Sequence, residues 1–103
     1  MGQLRKIAWT APARFDLQRL RAWTERCSPG KAPAQARRIR SAIESLPDSP
    51  RLGRAIPVPD GRTEELRGLV VEPYVICYVV EPQRIVVIRL WHGGEDRSGA
   101  RDV

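Results

Sequence analysis

The stretch EELRGLVVEPYVICYVVEPQRIVVIRLW, residues 64–91, decides the fold. It reads as three strands rich in β-branched and aromatic residues, EELRGLVV, YVICYVV and RIVVIRLW, separated by EP and EPQ. Connections this short force neighbouring strands to run antiparallel, so this half of the chain is a β-meander. The last strand delivers the single histidine, His92, and stops at Gly93 and Gly94, which can supply the turn conformations that follow. Two readings of His92 compete: chemistry at a strand end, or closure of a sheet.

Working back from the meander, RLGRAIPVPDGR is rich in turn formers and leaves room for a short edge strand. Before it, APAQARRIRSAIESL has Pro33 in a first helical turn and places Ala36, Ile39, Ile43 and Leu46 on one face; PDSP ends it. Arg37, Arg38 and Arg40 point away from that face. SPGK separates this helix from an earlier one, TAPARFDLQRLRAWTERC, in which Thr10 is placed to cap and Asp16 lies near the positive end. Ala13, Leu17, Leu20, Thr24 and Cys27 form its apolar stripe, with Trp23 flanking it. Phe15 falls on the far, arginine-rich side, where an exposed aromatic suggests a binding surface. LRKIAW, with Leu4, Ile7 and Trp9, reads as a first strand. The expected architecture is an α+β two-layer domain: N-terminal strand, antiparallel helix hairpin, antiparallel meander. It should form one domain over residues 1–103, with 93–103 as a flexible tail.

Bulk properties narrow the class. The chain of 103 residues has no apolar run of transmembrane length and no export signal, so a cytoplasmic protein without membrane contact is expected. Cys27 and Cys77 match no metal or redox spacing and read as two reduced, buried thiols. No Walker A, HExxH, GxSxG or dinucleotide fingerprint is present, so neither a cofactor nor a metal is expected. Eighteen basic residues oppose twelve acidic ones, and with lysine only at Lys6 and Lys31 the other sixteen are arginine. Residues 10–46 hold eight basic and three acidic side chains, a net of +5; the rest holds ten and nine. The excess is therefore local to the helices and calls for an anionic partner. A direct nucleic-acid binder fits the charge, yet no recognition helix, stacking-aromatic sheet or GXXG loop is visible.

ARFDLQRL, SPRLGR, RGLVVEPYVICYVV and IVVIRLWHGGEDR, in this order and spacing, resemble the RelE/ParE superfamily of toxins from type II toxin–antitoxin modules. The resemblance runs from about Ile7 to Arg97. It implies a compact toxin held inactive by a cognate acidic antitoxin, and two alternatives for its action. RelE-like members cut messenger RNA on the ribosome; ParE-like members bind DNA gyrase and block it. Cleavage needs a base, an acid and cations at the phosphate. Where a RelE-like pattern such as YRLVY carries an arginine, this chain has YVICY, with Val75 in that position, and Gly93 rather than a tyrosine follows His92.

His92, Glu64, Glu65, Arg67 and Arg89 could still converge as an acid–base set. The structural alternative pairs Arg67 and Arg89 with Glu64 or Glu65 across adjacent strands and leaves His92 bonding the chain as it exits the sheet. The resemblance favours a ParE-like gyrase inhibitor with no catalytic residues, the alternative being a RelE-like ribosome-dependent endoribonuclease. Antitoxin contact is expected at Arg14, Phe15, Arg19, Trp23, Arg37, Arg38 and Arg40. Target contact is expected at Arg67, Arg89, Trp91 and His92. A homodimer or a toxin–antitoxin heterotetramer would fit the family.

Overall fold

A computed structural model describes residues 5–93, and the expected tail lies outside the described residues except for Gly93. The elements run β1 (Lys6–Trp9), α1 (Ala11–Cys27), α2 (Ala32–Glu44), β2 (Arg54–Ile56), β3 (Glu65–Val71), β4 (Tyr74–Val80) and β5 (Arg84–His92). Strand, helix hairpin and meander thus follow one another as the sequence suggests, and RLGRAIPVPDGR does contribute a three-residue edge strand.

The five strands form one sheet in the order β1-β5-β4-β3-β2. All meander pairs are antiparallel, but β1 runs parallel to β5, pairing Ile7 with Ile85 and Trp9 with Val87. The last strand of the meander is therefore an inner strand. A register shift between Cys77 and Tyr78 makes Ile88 an extra residue opposite β4, a bulge that twists β5 beyond the end of β1.

α1 starts where sequence logic places it. Thr10 has extended backbone, and its hydroxyl accepts from the Ala13 amide at 3.2 Å. The hairpin turns through Gly30, whose φ of +87° is left-handed backbone that glycine adopts without steric cost. Both helices cover one face of the sheet. Ala13, Leu20, Ile39 and Ile43 from the helices meet Tyr74, Ile76, Val87 and Leu90 from the strands. Leu46, two residues beyond the end of α2, continues this core with Tyr78, Val80 and Ile85. Each fully buried aliphatic side chain here contributes about 1.5–3 kcal/mol by transfer from water, which outweighs the weak strand propensity of a four-residue β1.

One sequence expectation fails at the cysteines. Cys77 is buried, but Cys27 is exposed, because it is the last residue of α1, where the apolar stripe no longer has sheet beneath it. Burial pushes the Cys77 thiol up to about 11.

Candidate functional site

Where β1 stops at Trp9, β5 continues to His92 with its β1-side edge no longer paired to a strand. Side chains and backbone at the start of α1 take over that edge. The Thr10 amide donates to the Val87 carbonyl at 3.0 Å and its hydroxyl to the Ile88 carbonyl at 3.1 Å. Asp16, only 2% exposed, accepts from the Leu90 amide at 2.9 Å and from Arg89 Nε at 2.7 Å. Arg19 approaches the same carboxylate at 3.4 Å and the Leu90 carbonyl at 3.5 Å. A buried carboxylate is tolerated because every close neighbour here donates to it. Asp16 is thus an edge clamp rather than a partner of the helix dipole. Arg89 pairs with it, not with Glu64 or Glu65 as the structural alternative held.

The other expected partners also rearrange. Arg67 pairs with Glu65 on its own strand at 2.8 Å and donates to the Gly53 carbonyl at 2.7 Å. Arg51 shares Glu65, while Glu64 is bound by Arg62. The arginine hydrogen bonds hold both carboxyls below the usual glutamate range, chiefly that from Arg67 for Glu65 and that from Arg62 for Glu64. Tyr78 completes the anchor: its hydroxyl accepts from the Gly53 amide at 2.9 Å and donates to the Pro50 carbonyl at 2.8 Å. A Cβ at Gly53 would lie 2.8 Å from that hydroxyl, so only glycine fits.

His92 closes β5 on the helix side. Its ring meets Trp23 edge-on at 4.5 Å and Tyr74 at 5.6 Å, and the Tyr74 hydroxyl bonds Thr24 at 2.9 Å. Glu64 and Glu65, near the opposite end of the meander, are not brought to it: Glu65 pairs with Val80, whereas His92 pairs with Tyr74. The five-residue acid–base set does not assemble. Trp91 faces away from the helices and stands opposite Val75, which in turn stands opposite Val70. Cross-strand neighbours on this outer face are therefore apolar, and Val70 is 59% exposed.

The residues expected to contact an antitoxin divide among three surfaces. Arg14 and Arg40 line one cavity of about 530 Å³ between the helices and β1, together with Arg21 and Gln18. Arg37 and Arg38 line a second concavity with Ser41 and Val71. Arg19 and Trp23 lie on the β5 side of α1, engaged with Asp16 and His92. Phe15 stands 67% exposed. Sequence reasoning missed Arg21, although Arg14, Gln18 and Arg21 recur at i, i+4 and i+7 and so share a helix face. It also missed Asp16 as a clamp, a role visible only once β1 is known to end short of β5.

Among the described residues no cluster of three histidine, cysteine or acidic side chains could hold a metal, and no helix is long and apolar enough to cross a membrane.

Residues 7–97 match the family model of the ParE toxin of type II toxin–antitoxin systems, parDE. A curated relative, Toxin RelE2 of Caulobacter vibrioides, is 35% identical over 88 residues, spanning 84% of this chain and 93% of the relative. The fold is similar to that of the chromosomal ParDE system of P. aeruginosa, with a TM-score of 0.69 and 21% identity over 86% of this chain and 96% of that one. It is also similar to the archaeal RelE–RelB complex of Pyrococcus horikoshii, with a TM-score of 0.62 and 17% identity over 91% of this chain and 100% of that one.

Proposed function

The chain belongs to the ParE toxin family of type II toxin–antitoxin systems, and on that premise we propose that it acts by binding DNA gyrase rather than by cutting RNA, and that a cognate acidic antitoxin neutralises it. The observation that carries this reading is the outer sheet face. Phosphodiester cleavage needs cations where charge develops on the phosphate. The position at which the family resemblance puts an arginine is Val75, set between Val70 and Trp91. An apolar row of this kind can cover a protein surface but cannot stabilise a pentacoordinate phosphate. His92, the residue best suited to proton transfer, packs between Trp23 and Tyr74 on the opposite side. We assign target contact to the outer side of β5, at Arg89 and Trp91, which are two residues apart on one strand. His92 and Arg67, also expected there, lie instead on the helix side, His92 against Trp23 and Tyr74 and Arg67 opposite Tyr78.

A second reading, ribosome-dependent cleavage of messenger RNA, is favoured by the name of the Caulobacter relative, Toxin RelE2. One experiment separates the two. Purified gyrase, relaxed plasmid and ATP are incubated with and without this protein, and ribosomes on a defined message are treated in parallel. Blocked supercoiling with intact message is the expected result. Message cut within codons, with supercoiling unaffected, would replace the proposal by the second reading.

A further inference from the structure

We infer that the α2 face at Arg37 and Arg38 is a docking surface for the phosphate backbone of a nucleic-acid duplex, held without regard to base sequence. Ala34, Arg37, Arg38 and Ser41 line the second concavity, of about 530 Å³, with Val71 of β3 at its side. The four helical positions fall at i, i+3, i+4 and i+7, so they form one stripe of α2, distinct from the buried stripe of Ala32, Ala36, Ile39 and Ile43. Lys31, immediately before the helix, extends the stripe by one turn.

The stripe carries charge of one sign. Lys31, Arg37 and Arg38 are exposed, and among the described residues no ion pair holds any of them, unlike Arg51, Arg62, Arg67 and Arg84. Arg38 reaches only the neutral Gln35, at 3.2 Å. The one acid of α2, Glu44, lines the other cavity, and Glu72, exposed in the turn after Val71, is not part of this lining. A row of like charges without carboxylates among them attracts a polyanion.

The lining discriminates among polyanions. Ala34 and Val71 are its only apolar members, whereas Ile7, Trp9, Leu17 and Ile43 lie beneath the arginines of the cavity over β1. An occupant of the α2 stripe therefore has little apolar surface to bury there. No aromatic ring lines it either, so the unstacked bases of a single strand find no platform. A duplex turns its phosphates outward and needs neither feature. Ala34 and Ser41 are small enough for a sugar–phosphate chain to lie close to the helix between the guanidiniums, and the Ser41 hydroxyl is a further donor to phosphate oxygen. At 1.5 Å per residue the stripe from Lys31 to Ser41 is about 15 Å long. That length matches about four steps of one strand at about 3.4 Å each. Backbone contact of this kind requires no recognition helix. The stripe lies on the helix side of the sheet and Trp91 on the other, so the inference does not rest on the gyrase reading and both surfaces can be occupied together.

The probes are short fluorescent DNA and RNA duplexes of mixed sequence and a DNA single strand, titrated with the whole protein by anisotropy across a salt series. A duplex should bind more tightly than the single strand, and preference for DNA or RNA identifies its source. Two unrelated duplex sequences should bind within about twofold of each other. Arg37→Gln with Arg38→Gln should weaken duplex binding about tenfold at low salt and lower the slope of log affinity against log salt by about 1.8, two contacts at about 0.9 each. Arg37→Lys with Arg38→Lys keeps the charges and should keep the slope within about 0.5. Arg26→Gln with Arg54→Gln removes the same charge at exposed sites outside the stripe and should change the slope by less than about 0.5. Circular dichroism confirms that each variant is folded. Equal loss of slope from the two glutamine pairs, or tighter binding of the single strand, would overturn the assignment. So would displacement of the duplex by polyglutamate as effectively as by unlabelled duplex, which would hand the stripe to an acidic polypeptide.

Discussion

On the helix side of the sheet, Tyr74, Ile76, Tyr78, Ile85, Val87 and Leu90 are almost inaccessible to solvent, whereas on the other side Val70 and Ile56 are exposed and Val75, Val79, Val86 and Trp91 only partly covered. A sheet with one solvated face ordinarily alternates apolar and polar residues along each strand. YVICYVV and RIVVIRLW do not alternate, and are written as though both faces were to be buried. Only the helix side is needed to hold the domain together. The proposed target contact would account for the apolar character of the opposite side, and the two faces should then respond differently to the same kind of change.

The largest effect is expected on the covered face. Leu90→Ala removes a side chain with no exposure from the contact between α1 and β5 and should cost about 3 kcal/mol in urea unfolding. A cost below about 1 kcal/mol would mean that the helix side is as loosely held as the other. Cys77 sharpens the contrast, since it lies on the outer side yet is only 6% exposed. With its thiol pushed up from 9.0 to about 11, its thiolate near neutral pH is scarcer by about a hundredfold. A thiol reagent should therefore label Cys27 rapidly and Cys77 at least about a hundredfold more slowly; two similar rates would show the centre of the outer face to be open.

Gly53→Ala tests the anchor that fixes the loop before β2, because its Cβ would collide with the Tyr78 hydroxyl and the Gly68 carbonyl, and should cost about 2 kcal/mol. Asp16→Asn should cost a similar amount, about 2 kcal/mol, by weakening the acceptor of Arg89 and of the Leu90 amide; Arg89, with its side chain 41% exposed, recovers part of its hydration. The smallest effect is expected at Val70→Ser on the outer face, within about 0.5 kcal/mol in stability. The same variant should weaken gyrase inhibition, and undiminished inhibition would separate that face from target contact.

Much of this architecture is legible in the residues. Thr10 announces α1, Pro33 starts α2, and EP and EPQ dictate the antiparallel meander. The parallel pairing of β1 with β5 is not, because β1 has only four residues and its partner is far along the chain; the pairing is set by where Ile7 and Trp9 can reach the core. The site is less legible than the fold. Charge counting found Arg14 and Arg40, but their shared cavity depends on how the helices splay. Asp16 looks like any acid near a helix start until its partner, 74 residues away, is in place. Arg89 and Arg67 were recognisable as ion-pair formers, while their actual partners follow from the end of β1 and the course of the 50–53 loop.

The position of β5 inside the sheet also sets a timetable. β1 and the first turns of α1 are made early, but the strand on which they close, and to which Asp16 and Thr10 bond, is not complete until His92 has been added. At about 5–20 residues per second, translation holds these segments apart for several seconds, during which the N-terminal strand and the amphipathic helices have no sheet to cover. Long-range closure of this kind is slow compared with local helix formation. The nascent chain thus has no completed outer face and no cavity over β1 until β5 emerges. A ribosome that stalls within the meander releases a fragment without the surfaces on which harm would depend.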